Sequence, residues 1–114
     1  MRHRGGLSAA EREARSRLCK LVNQGDGFVH GSWIAMARCC GHPGCKCATQ
    51  GAKHVSHYVG QTRQRRTRMK AVPKTNESRV HHWIENYQQA RHLLEQISDE
   101  GWQRITTAKE NGPF

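Results

Sequence analysis

Hydrophobic positions recur with two different periods along this chain, and the switch between them predicts its elements. Ala14, Leu18, Leu21 and Val22 fall at i, i+4, i+7 and i+8, one stripe of a helix. Ser8 and Glu11 precede the stripe with capping-box spacing: Ser8 accepts from the amide three residues on, and the Glu11 carboxylate reaches back to the Ser8 amide. Asn23-Gln24-Gly25 and Asp26-Gly27 supply the stop, so the helix is expected to run to about Val22, with Arg12 and Arg15 on its wet face.

From Phe28 onward the period shortens to two. A strand is expected from Ser32 to Cys39, with Trp33, Ala35 and Ala37 on one face and Ile34 and Met36 on the other. His54 to Val59 and Gln64 to Val72 read as two more strands around a turn at Gly60-Gln61-Thr62. Alternation then puts Arg66, Arg68 and Lys70 on one face and Arg63 and Arg65 on the other. Pro73 ends the third strand, and Thr75 or Asn76 can cap the next helix. Val80, Trp83, Tyr87, Ala90, Leu94 and Ile97 are spaced by three and four residues, widened by Ile84 and Leu93, which predicts a helix from Asn76 to Ser98. Gly101 is the expected break.

The predicted fold class is therefore α+β: an N-terminal helix, a three-stranded antiparallel sheet and a long C-terminal helix. Its expected segments are a basic helix (1–27), a cationic sheet with a cysteine-rich knuckle (28–74), an amphipathic helix (75–100) and a tail (101–114). The long stripe either covers the sheet or forms a homo-oligomer or partner seam through Val80, Trp83, Tyr87, Ala90, Leu94 and Ile97.

Charge changes the picture more than composition does. Only 35% of the 114 residues are hydrophobic, so the core is small and a staple would help. The formal net charge is +10, and it is segregated: positions 27 to 76 contain no carboxylate at all. The same stretch holds Arg38, Lys46, Lys53, Arg63, Arg65, Arg66, Arg68, Lys70 and Lys74. Surfaces kept for solubility mix both signs, whereas a long run of one sign makes a field suited to a polyanion, and nucleic acid is the first candidate. The N-terminus has no apolar run after its basic residues, and no stretch approaches the ~18 apolar residues of a membrane span, so a soluble cytoplasmic protein is expected.

Four of the five cysteines fall in "RCCGHPGCKCATQGAKH", residues 38 to 54. Reduced thiols in a cytoplasm favour metal over disulfides, and Cys39–Cys40 would make a strained vicinal bridge. Cys40, Cys45 and Cys47 with His54 offer a tetrahedral Zn²⁺ set, wrapped by Gly41, Pro43 and Gly44. His57, His42 and Cys39 are alternatives for the fourth ligand, and Cys19 in the first helix reads as a small packing residue. A catalytic zinc needs an open position and usually a carboxylate base, and a Mg²⁺ nuclease needs carboxylate ligands; the acid-free block supplies neither. His81 and His82 diverge on a helix and make a poor acid/base pair. No enzymatic activity is expected.

"CGHPGCKC" (Cys40 to Cys47), "GQTR" (Gly60 to Arg63), "AVPK" (Ala71 to Lys74) and "WIENYQQARHLLEQIS" (Trp83 to Ser98) occur in this order. Together, over about residues 31 to 98, they resemble an uncharacterised family of small bacterial zinc-knuckle proteins, a domain of unknown function often encoded near transposases. In that family His-Gly-Pro-Tyr follows the cysteines, and His54 aligns with its histidine. Here Val55-Ser56-His57 replaces Gly-Pro-Tyr and one extra residue separates Cys47 from His54, which keeps His57 open as a ligand. The resemblance implies the architecture and a link to mobile elements, but no activity.

The expected function is nucleic-acid binding with weak sequence specificity, DNA slightly favoured over RNA. Arg63, Arg65, Arg66, Arg68 and Lys70 are the main phosphate contacts, with Lys46 and Lys53 on the knuckle as auxiliaries. The competing expectation is a protein-interaction adaptor or ribonucleoprotein subunit that uses the long helix to oligomerise.

Overall fold

The computed structural model describes residues 7–38 and 54–111, with the side chains of residues 7–37 and 55–108. Its elements are helix α1 (Ala9–Gln24), strands β1 (Ser32–Arg38), β2 (His54–Arg63) and β3 (Arg66–Val72), a short 3-10 turn (Lys74–Asn76) and helix α2 (Glu77–Asn111). The strands form one sheet in the order β1-β2-β3 with both pairings antiparallel. This is the expected α+β arrangement. The chain divides into two compact units: α1 with α2 from Asn86 onward, and Gly27–Glu85, which holds the sheet and the first turns of α2.

In the helical unit, Ser8 caps α1 as its spacing predicts, accepting from the Glu11 amide at 3.0 Å. The other half of the capping box does not form. The Glu11 carboxylate, with no exposed surface, accepts instead from Arg15 Nε at 2.7 Å and from Arg104. Burial pushes its pKa up, but the hydrogen bonds and charges of the two arginines outweigh that and hold it below the ordinary glutamate range. Ala14 and Leu93 are the buried apolar residues of this unit among the described residues.

The same contacts explain why α2 does not stop near Ser98. Glycine costs about 1 kcal/mol in a helix interior, and a methyl group at Gly101 would meet nothing within 4 Å. Yet Glu100 accepts from the Ser8 hydroxyl and Arg104 donates to Glu11, so tertiary bonds on both sides of Gly101 hold the helix together. The helix continues to Asn111, through residues expected to form a turn and tail.

In the sheet unit, one face carries Trp33, His57, Val59 and Val72, which the register places on adjoining rungs. The start of α2 packs on that face. His57 Nδ1 lies 2.8 Å from Glu77, and its ring stacks on Trp33 at 5.1 Å while His81 meets Trp33 edge-on. The Val29 amide donates to the Trp83 carbonyl at 3.0 Å, and a Cβ on Gly27 would fall 2.5 Å from the Trp83 indole, so glycine leaves room for that ring. Thr75 and Asn76, expected as caps, lie within the 3-10 turn, which has no side-chain cap; the Asn76 amide donates to the Pro73 carbonyl.

The hairpin turn is not at Gly60-Gln61-Thr62. β2 runs on to Arg63, and the chain reverses at Gln64 and Arg65, both with positive φ (52° and 64°). Gly60 serves packing instead: its buried position faces Ile34, whose Cδ1 would lie 2.6 Å from an added Cβ.

Candidate nucleic-acid interface

Moving the turn regroups the cations. Directly opposed residues of an antiparallel pair project from the same face, and the register opposes Arg63 to Arg66, Gln61 to Arg68 and Val59 to Lys70. Arg63 therefore joins Arg66, Arg68 and Lys70 on one face rather than the other, and Arg65 sits at the tip. All five are exposed. On the opposite face the hydroxyls of Thr62 and Thr67 meet at 2.9 Å and tie the strands together beneath the row.

One member of the row is held in place. Arg68 Nε donates to Gln61 Oε1 at 3.0 Å, and Gln61 Nε2 donates to the His30 carbonyl at 2.9 Å. Among the described residues no carboxylate pairs with Arg63, Arg65, Arg66, Arg68 or Lys70. Next to Arg68 and Lys70 on the same face lies an open cavity of about 320 Å³, walled by valines and Trp83. Gln61, His30 and Val59 carry no sequence signal of their own; Gln61 stands out only once the turn is placed three residues later, opposite Arg68.

The turn itself is strained. Two successive left-handed residues make a two-residue hairpin loop of the kind that favours Asn-Gly, and a residue with a Cβ pays about 1–2 kcal/mol in that conformation. Replacing Gln64→Asn together with Arg65→Gly is expected to raise stability by about 1 kcal/mol, read as a higher midpoint in thermal unfolding. A lower midpoint would show that the two side chains make contacts that outweigh the backbone strain.

Cys40, Cys45 and Cys47, with Cys39, His42, Lys46 and Lys53, lie outside the described residues. The backbone of His54 is placed: it opens β2 opposite Arg38, so the segment carrying the cysteines leaves and re-enters the sheet on one rung. His57, the alternative ligand, is engaged by Trp33 and Glu77. Among the described residues no group of three potential metal ligands comes together, and no helix is long and apolar enough to cross a membrane.

Of the expected seam, Val80 and Trp83 line the cavity in the sheet unit. Leu94 is 57% exposed, while the neighbouring Leu93 is buried.

Compared with known protein families, residues 8–81 match the model of a domain of unknown function, DUF6788. The chain belongs to this family. The DUF6788 match takes in α1, the whole sheet and the first turn of α2, including the cationic hairpin and the cavity-lining residues other than Trp83. No curated protein and no solved structure matches the chain.

Proposed function

We propose that this DUF6788 protein binds nucleic acid through the β2–β3 hairpin, with Arg63, Arg66, Arg68 and Lys70 along one face and Arg65 at the tip contacting phosphates. The observation that carries this reading is the exposed row of four cations on a single sheet face, within a stretch of chain that has no carboxylate from 27 to 76. Phosphate contacts position a protein without reading sequence, so specificity is weak. DNA is favoured slightly over RNA, following the implied link to mobile elements, and the protein acts in a reducing cytoplasm without enzymatic activity.

Zn²⁺ held by Cys40, Cys45, Cys47 and His54 fits this role as a closed structural site. Three thiolates and an imidazole are a zinc donor set, and the Arg38–His54 rung brings the two ends of the cysteine segment together. Lys46 and Lys53, adjacent in sequence to Cys45, Cys47 and His54, then serve as auxiliary contacts. A second reading, association through the helical unit, is favoured by the exposure of Leu94, Trp102 and Ile105 on α2. In that reading the protein is an adaptor or ribonucleoprotein subunit.

Metal analysis coupled to gel-shift titration tests both parts. The purified protein is expected to carry one zinc per chain and to shift DNA and RNA. Cys45→Ser is expected to lose the metal and to weaken the shift. Metal-free protein with an unaltered shift would remove zinc from the reading; a stable oligomer with no affinity for any nucleic acid would replace the reading with the adaptor.

A further inference from the structure

Phosphate contacts use the cationic row and leave the cavity beside it without a role. It is lined by Val29, Val59, Val80 and Trp83 together with Arg68 and Lys70. A volume of about 320 Å³ lies at the lower end of the roughly 300–1,000 Å³ typical of small-ligand sites, and far above a packing defect. A largely apolar, aromatic-containing cavity with two cations in its lining suits a flat ring system that carries an anion.

Two further observations narrow the occupant. The relay from the His30 carbonyl through Gln61 to Arg68 Nε fixes the guanidinium beside the cavity, while its terminal nitrogens have no carboxylate partner among the described residues. Arg66 and Lys70 flank Arg68 at every second position of β3, about 6.6 Å apart, a spacing comparable with the phosphate repeat of an extended, unstacked strand. A small anion would need one of these cations; a polyanion bearing flat rings uses the row and the cavity together.

We propose that the cavity receives one unstacked nucleobase of a single-stranded nucleic acid, with the phosphates on either side of it held by Arg68 and Lys70. This rests on the nucleic-acid reading above and adds to it a preference for single strands. In a duplex the base is paired and stacked, so it cannot enter without first being extruded. The base gains apolar contact with Trp83 and the valines, and any of the four bases can do so because each has an apolar face.

The test compares a short oligothymidylate with an abasic oligonucleotide of equal phosphate number, each titrated by fluorescence anisotropy against the full-length protein. The oligothymidylate is expected to bind about tenfold tighter or better, the range seen for a single base on an aromatic platform. Val80→Phe, which fills the cavity from α2, is expected to abolish that preference while leaving affinity for the abasic strand intact, which also shows that the variant is folded. Gln61→Ala, which frees Arg68 without enlarging a side chain, is expected to reduce the preference several-fold. Equal affinity of the native protein for the two strands, or a preference that survives Val80→Phe, overturns the base pocket and leaves the phosphate row standing. Binding to neither strand at low salt overturns both.

Discussion

Replacing Arg66 and Arg68 together with alanine should weaken nucleic-acid binding by about a hundredfold and flatten its dependence on salt. Each exposed guanidinium that meets a phosphate makes a charge-assisted contact worth about 1.5 kcal/mol. Each also releases counterions, so five contacts from Arg63, Arg65, Arg66, Arg68 and Lys70 give a slope of log K against log salt of about −4.5 on duplex DNA, falling to about −2.7 with three. Both residues are exposed, so the fold is little affected. Arg91→Ala removes one charge from an exposed position of α2 and serves as the control, with the slope unchanged. A double variant that keeps the native slope would show that the row does not touch phosphate.

The largest effect on stability is expected at Glu11. Its side chain is fully buried in a helical unit with few buried apolar residues, and two arginines converge on it. Glu11→Ala strands Arg15 and Arg104, but these are 48% and 31% exposed and can turn to water. The cost is therefore placed at the lower end of that for breaking a buried pair, about 3 kcal/mol, or about 10 °C in the unfolding midpoint. The folded pKa of Glu11 is depressed, so its stabilisation is complete above the ordinary glutamate value and is lost as pH falls through the lowered one. Thermal unfolding should show the native midpoint dropping from about pH 5 downward, and Glu11→Gln should flatten that acid limb. An acid limb unchanged by Glu11→Gln would assign it to other carboxylates.

Local signals were legible and long-range ones were not. The Ser8 cap, the period-two strands and the long apolar stripe depend on neighbours a few positions apart, and each is present, although β2 and α2 run past their expected ends. The bond from Arg104 to Glu11 spans 93 positions, and no local pattern announces it. Without that bond Gly101 reads as a stop; with it the glycine is carried inside a helix. Gly60 misleads for the opposite reason, because it is small to accommodate Ile34, not to make a turn. The true turn residues, Gln64 and Arg65, are poor formers of that turn. A turn placed three residues too early puts Arg63 on the wrong face and hides the pairing of Gln61 with Arg68. The residues proposed for zinc, apart from the backbone of His54, fall outside the described chain, so the sequence remains their main support.

The Arg63–Arg66 rung has a consequence for how the molecule responds to its solvent. Two like charges directly opposed across a pair of strands repel, and here they close a hairpin whose two turn residues are already unfavourable. An anion that bridges the two guanidiniums binds the formed hairpin better than the frayed one. By mass action, stability in this part of the sheet then rises with anion activity. The hairpin end is thus expected to be looser in dilute buffer and firmer when a polyanion of the proposed kind lies across it.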